Sequence, residues 1–223
     1  MDFDQHSAGY SQEVDQALSV VGLRHDFFLE AKVEHIVEAR MRLAGVSEPR
    51  TLEIGCGVGL LQRRLRPLFK HLFGIDSSIA SLGRAPREER LAAADGVHLP
   101  FADESFDLVI AVCVLHHVPV AQRAAFLGEM ARVTRPGGLI TICEHNPWNP
   151  LTRLVVARCE FDNDAVLLPA AETRRRLCAA GLTEVRSRFI LFFPWQGALW
   201  RRLERLLASL PLGGQYFVEG SRR

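Results

Sequence analysis

The chain has 223 residues, 48% of them hydrophobic, which suffices for one well-buried core and predicts a single domain over residues 1–223. Formal net charge is +1, which excludes a global basic field of the kind that draws a protein to nucleic acid; residues 1–150 carry 15 basic and 19 acidic side chains, residues 151–223 carry 12 and 7, so the C-terminal third is mildly cationic. The five cysteines, Cys56, Cys113, Cys143, Cys159 and Cys178, form no C-x-x-C pair, so neither a disulfide framework nor a zinc site is indicated and no metal is expected.

The opening "MDFDQHSAGY" lacks the basic start and apolar stretch of a signal peptide, and no apolar run approaches the roughly 18–20 residues of a membrane span, so a cytoplasmic protein is expected. Residues 23–44 place Phe28, Val33, Ile36, Val37, Met41 and Ala44 at helical spacing, and "GVSEPR" breaks that helix. Strands follow near 51–54, 72–75, 90–94, 106–113 and 138–144, separated by helical segments near 59–68, 78–84 and 121–134, the last closed by "RPGG". This alternation predicts βαβ units and an α/β fold with a doubly wound parallel sheet. "DLVIAVCVL" is apolar on both faces, as a central strand must be when helices cover both sides, so the fourth strand belongs in the middle. After Pro150 the pattern loosens. A helix near 169–180, a strand near 183–193, the helix "QGALWRRLERLLASL" and a last strand "GQYFVEG" complete the chain, with no linker to set them apart. The organisation expected is N-terminal cap helices over 1–46, a cofactor-binding half over 50–145 and a substrate-side half over 146–223.

"LEIGCGVG" at 52–59 is a strand running into a glycine turn and then a helix. Such a turn presents backbone N–H groups and a helix N-terminus, and glycine permits close approach because it has no Cβ. Gly55, Gly57 and Gly59 give G-x-G-x-G, whereas the dinucleotide fingerprint G-x-G-x-x-G would need a small residue where Leu60 stands. Glu53 argues the same way, since a buried carboxylate beside a pyrophosphate is repulsive and beside an amine-bearing cation is favourable.

"LEIGCGVG" resembles motif I of the class I S-adenosylmethionine-dependent methyltransferases, and further landmarks agree in order: "LFGID", "AADGVHLPFADESFDLV", "FDLVIAVCVLHHV" and "RVTRPGGLITI". The resemblance spans residues 50–145 and implies S-adenosyl-L-methionine as cofactor on a seven-stranded, Rossmann-like sheet with its last strand antiparallel. It implies that Asp76 bridges the ribose hydroxyls, that Asp95 lies near the adenine amino group with Gly96 and Val97 beside the ring, and that Cys56, Ser77 and Cys113 adjoin the cofactor. Other readings stay open: Asp76 also suits capping the next helix, with Ser77 and Ser78 as rivals, and Asp95 suits a plain Asp-Gly turn. "FDQHSAGY" resembles the segment that folds over the cofactor in small-molecule members, which implies roles for Tyr10 and, against the cofactor carboxylate, Lys32; a surface lysine is the plain alternative.

Strand ends four and five should carry the chemistry, because ligands in such sheets bind outside the carboxyl ends of the strands. His116, His117, Glu144, His145, Asn146 and Asn149 collect there. Histidine accepts a proton near neutrality, so His145, His116 and His117 are the candidate bases for a hydroxyl acceptor, while packing or helix-start roles suit the pair His116–His117 equally well. The Asn- or Asp-Pro-Pro-aromatic motif of enzymes that methylate amide or adenine nitrogens is missing after strand four, which disfavours nucleic acid as substrate. Residues 197–210 interpose an amphipathic helix between the final two strands, with Leu199, Trp200, Leu203, Leu206, Leu207 and Leu210 on one side and Arg201, Arg202 and Arg205 on the other. That helix suits covering the sheet or a homodimer contact, or else a membrane surface or lipid-linked substrate. The expected activity is methyl transfer to a small molecule, most simply to a hydroxyl of a sugar, lipid-linked or secondary-metabolite intermediate. A nicotinamide-dependent oxidoreductase and a non-catalytic cofactor-binding protein are the alternatives.

Overall fold

The computed structural model describes residues 16–19, 22, 24–195 and 197–223, so Tyr10 lies outside the described residues. Helix α1, His25–Met41, precedes strand β1, Arg50–Ile54, and helix α2, Leu60–Leu65. Strand β2, His71–Asp76, the short helix α3, Ile79–Leu82, and strand β3, Leu91–Ala93, build one wing of the sheet. Strand β4, Phe106–Val112, helix α4, Arg123–Val133, and strand β5, Thr134–His145, cross to the other. Helices α5, Pro150–Val156, and α6, Ala170–Ala179, then lead to strand β6, Leu182–Ile190, helix α7, Ala198–Leu207, and strand β7, Gln215–Arg222.

The seven strands lie in the order β3-β2-β1-β4-β5-β7-β6, with β7 antiparallel to both β5 and β6. β4 is thus the central strand, and its residues Phe106–Ala111 are all buried. Alternation along it feeds two cores: Val109 and Ala111 join the cluster that includes Phe126, Leu127, Met130 and Leu177, while Leu108 and Ile110 join Ile36, Leu61, Leu65 and Phe69 on the opposite face.

Three local differences from the sequence pattern have physical causes. The buried face of α1 is Leu29, Lys32, His35, Ile36 and Ala39, and Met41, expected on the apolar face, is 73% exposed. Two of the buried positions are polar because they have partners: His35 Nε2 sits 3.0 Å from Glu219 Oε1, and its ring stacks on Phe217. "RPGG" closes α4 at Val133 yet belongs to β5, where Thr134 pairs with Phe106 and a register shift before the Leu108–Leu139 pair absorbs the extra residues. α5 was hidden in a polar stretch: Asn149 is its N-cap, accepting the Thr152 N–H at 3.0 Å, and Pro150 takes the first helical position.

The same polar stretch fastens the end of the sheet. Asn146 is fully buried, its Nδ2 donating to Pro211 O and Gly213 O at 3.1 and 2.8 Å, and Asn149 Nδ2 donates to Leu212 O at 2.8 Å. These two asparagines are therefore clamps on the segment that enters β7. The clamp holds Gly213 so near β6 that a Cβ there would lie 2.4 Å from Ile190 O, a backbone atom that cannot swing aside. Gly213→Ala should destabilise the fold by about 1–3 kcal/mol, measured as a lower urea midpoint with unchanged slope; an unchanged midpoint would show that the β6–β7 approach is looser than described.

Candidate functional site

β1 and β4 are neighbours, but the chain leaves them toward opposite faces, into α2 and α4 respectively, and opens a crevice at their carboxyl ends. A cavity of about 520 Å³ fills it, lined among others by Lys32, Glu53, Gly55, Asp76, His145 and Phe193.

The turn after β1 is built from left-handed glycines, with φ of 75° at Gly55, 53° at Gly57 and 77° at Gly59. The N–H groups of Gly55 and Cys56 donate to Ile75 O at 2.8 and 3.0 Å, which laces the turn to β2. Gly57 N–H donates to Asp76 Oδ2 at 2.7 Å, and Ser78 N–H to Asp76 Oδ1 at 2.8 Å. Ser78, rather than Asp76 or Ser77, caps α3, its Oγ accepting the Ser81 N–H at 3.0 Å. A Cβ on Gly55 would lie 2.3 Å from Val114, whereas one on Gly57 would meet nothing within 4 Å and would project into open space. The first glycine admits the close pass of strand β4's continuation, and the second keeps the cradle clear.

Glu53 is buried and its Oε2 accepts from Gln62 Nε2 at 2.7 Å. Burial pushes its carboxyl up to about 8, against the opposing hydrogen bond from Gln62, and a cation entering the cavity would favour its ionised form. Lys32 reaches in from α1, its Nζ 3.5 Å from the Cys113 sulfur. Burial opposes its charge, but Cys113, Cys143 and Glu144 more than offset that, and its pKa lies above the ordinary lysine value. Cys113 follows β4 in a left-handed conformation, φ 57°, and its thiol is held well below the usual range by the hydrogen bond with Cys143, then, against burial, by Lys32 and His145.

At the adjoining wall, Asp95 is exposed, accepts from Val97 N–H at 3.0 Å and faces His98 at 3.2 Å, so the Asp-Gly turn is formed by a residue that also lines the cavity. A Cβ on Gly96 would lie 2.4 Å from the Phe126 ring, which accounts for the glycine.

The polar residues at the ends of β4 and β5 divide into those on the wall and those behind it. Glu144, fully buried, accepts the N–H groups of Val114 and Leu115 at 3.2 and 2.8 Å and pairs with His116 Nδ1. His116 is buried behind that network, 1% exposed, and Gly59 likewise stands off the cavity, near Ala85. His117 and His145 line the cavity, with His145 Nδ1 3.3 Å from Gln215 Nε2. Asp162, on the short 3-10 turn Glu160–Asp162, brings one oxygen, Oδ1, to 3.5 Å from His116 Nε2 and 3.4 Å from His117 Nε2. Despite burial, Glu144 and Asp162 push His116 up to about 10, and the two histidines pull Asp162 below the usual carboxylate range. Of the residues expected from the sequence, Lys32, Glu53, Gly55, Cys56, Gly57, Asp76, Ser77, Asp95, Gly96, Val97, Cys113, His117 and His145 therefore line one cavity. Asp162, Gln215, Gln62 and Phe161 were not legible as site residues; only the acidic run "EFDND" carried a signal for the first.

Comparison with known proteins agrees with this arrangement. The family described as "Methyltransferase domain" matches residues 52–142. The demethylmenaquinone methyltransferase of Mycolicibacterium paratuberculosis is 33% identical over 175 residues, 72% of this chain and 74% of that protein. The phosphatidylethanolamine N-methyltransferase of Cereibacter sphaeroides is 35% identical over 128 residues, a match covering 51% of this chain and 60% of the relative. A crystal structure of an S-adenosylmethionine-dependent methyltransferase from Archaeoglobus fulgidus superposes with a TM-score of 0.66 at 15% identity, over 87% of this chain and 94% of that one, and shares the fold. With the glycine turn, the strand order and these matches in place, the chain belongs to the methyltransferase domain family of S-adenosylmethionine-dependent enzymes.

Proposed function

We propose that the protein transfers a methyl group from S-adenosyl-L-methionine to a hydroxyl of a small molecule, and that the acceptor is carried on a lipid. The observation that carries this reading is the cavity itself, which is lined by the glycine turn and Asp76 together with His117, His145 and apolar side chains such as Phe193.

The residues present fit the cofactor. Gly57 leaves the cradle clear, and Asp76, already held by two N–H groups, offers its carboxylate to the ribose hydroxyls. Glu53 and Lys32 supply one acid and one base for the amino and carboxylate groups of the methionine part, with Cys56, Ser77 and Cys113 completing that wall. Asp95, Gly96 and Val97 form the adenine side. Bound there, S-adenosylmethionine supplies an electrophilic methyl group on a sulfonium. The chain's own contribution is to orient the acceptor, exclude water and take up a proton, and positioning alone can supply much of the barrier reduction. His145, tethered to Gln215 and exposed to the cavity, is the residue to accept the hydroxyl proton, with His117 beside it; His116, behind Glu144, acts on them rather than on the acceptor.

The lipid class rests on apolar side chains. Phe193 lines the cavity and packs on Trp200 of α7, which packs on Trp195, 56% exposed. α7 turns Trp200, Leu203 and Leu207 inward yet leaves Leu199 and Leu206 64% and 73% exposed beside Arg202 and Arg205. An apolar stripe flanked by cations is the composition that settles at a lipid interface. Leu151, which lines the cavity from α5, and Trp148 are exposed apolar side chains as well. The relatives named for phosphatidylethanolamine and demethylmenaquinone point to the same class. Among the described residues no helix is long and apolar enough to cross a membrane, so contact would be at the surface.

Two outcomes are expected. Asp76→Ala should lower affinity for S-adenosylmethionine by about 1.5–3 kcal/mol in calorimetry, the cost of leaving hydrogen-bonding groups unmatched; unchanged affinity would remove Asp76 from the cofactor site. The protein should sediment with vesicles containing anionic lipid, and the double variant Leu199→Asp, Leu206→Asp should stay in the supernatant with its cofactor affinity intact. Wild-type protein left in the supernatant would restrict the acceptor to free small molecules.

A further inference from the structure

His116, His117 and Asp162 stand apart from the cofactor wall and converge on one point. Each offers one ligating atom, and the three atoms lie within 4.8 Å of one another. Asp162 Oδ1 is 3.5 Å from His116 Nε2 and 3.4 Å from His117 Nε2, beyond ordinary hydrogen-bond length. A tetrahedral ion with ligands about 2.0–2.1 Å away holds its ligand atoms about 3.4 Å apart. The two separations from Asp162 Oδ1 match that spacing.

Two further observations point the same way. His116 Nε2 is buried without a hydrogen-bond partner in a residue that is 1% exposed, and it faces Asp162. His116 also carries a carboxylate at its other ring nitrogen, Glu144 at Nδ1, while the nearest carboxylate oxygen to His117 Nδ1, Asp164 Oδ1, stands off at 3.4 Å. A carboxylate accepting the Nδ1 proton fixes the tautomer, turns the Nε2 lone pair outward and raises its basicity, which is the outer support metal-ligating histidines have. Glu144 is itself locked by the Val114 and Leu115 N–H groups, so the support is rigid.

We infer that His116, His117 and Asp162 bind one divalent first-row transition ion, zinc being the simplest, with an open position toward the cavity that His117 and Asp162 line. Such an ion beside the acceptor would lower the pKa of a coordinated hydroxyl, and His145 would then take up the proton; this use rests on the methyl-transfer reading, whereas the binding itself does not. Sequence alone pointed away from a metal because only the cysteine spacing was informative, and Asp162 comes to the histidines through a turn that the loosened pattern after Pro150 conceals.

The test is titration of chelator-treated, full-length protein with Zn²⁺ by calorimetry and with Co²⁺ by visible absorption, in the absence of cofactor. One ion per chain is expected, with a ligand-field spectrum of low coordination number. Asp162→Asn and His117→Ala should each weaken binding by about 100-fold or more, and Glu144→Gln by about 10- to 100-fold, while Cys178→Ser, an exposed thiol, should change nothing. Circular dichroism identifies any variant that fails to fold, and His117→Ala, at the cavity surface, serves if Asp162→Asn does. No ion bound by the wild type, or binding that survives both ligand substitutions, overturns the site; the trio is then a protonated His116 paired with Asp162. Parallel titration with S-adenosylmethionine separates the two readings, since cofactor binding without metal binding overturns only this one, and metal binding without cofactor binding overturns only the proposed activity.

Discussion

Two parallel strands ending side by side and sending their chains to opposite faces of the sheet is the constraint on which everything else depends. β1 and β4 are adjacent at the centre of the sheet, and the loops that leave them cannot fill the gap between them. Backbone must therefore line a crevice, and backbone that lines a crevice needs partners for its N–H groups. The turn after β1 meets that need by donating to Ile75 O and to Asp76, and its glycines adopt the left-handed conformations this requires without a Cβ clash. The carboxylate that anchors the turn also lines the cavity. A site made this way is rigid before any ligand arrives, which is what positioning chemistry requires.

The far side of the crevice is organised by Glu144. One buried carboxylate holds the loop after β4 through two backbone N–H groups and orients His116, while the next residue, His145, faces the cavity from the same strand end. Alternation along β5 explains the division of labour, since successive side chains point to opposite faces. The antiparallel pairing of β7 with β5 then places Gln215 opposite His145, where it meets the ring. The asparagine clamps that set the entry to β7 are accordingly part of the site's support, and Asn149 also lines the cavity.

Much of this was legible in the sequence because it follows from patterns that repeat at fixed spacing. The apolar run of β4, the three glycines and Asp76 each announce a local structure, and those local structures compose the crevice at the ends of β1, β2 and β4. The seven strands, the antiparallel last strand, the central place of β4 and the helix between β6 and β7 are as the periodicity and the family resemblance led one to expect. What stayed hidden depends on tertiary partners. The buried face of α1 could not be read from hydrophobicity because Lys32 and His35 are polar and buried for reasons that lie on distant strands, at Cys113 and Glu219. His116 and His117 are neighbours in sequence, yet only one lines the cavity, and the difference is set by Glu144, a residue 28 positions away from His116. Asp162 was unreadable for the same reason.

The account stands on the occupant of the glycine turn, and one measurement reaches it directly: calorimetric titration of the purified protein with S-adenosylmethionine, S-adenosylhomocysteine and NAD in parallel. Saturable binding of the first two and none of NAD is the predicted result. Binding of NAD alone would contradict the account, because a dinucleotide in that turn would set its pyrophosphate against Glu53 and leave Asp76, Lys32 and His145 without the roles given to them.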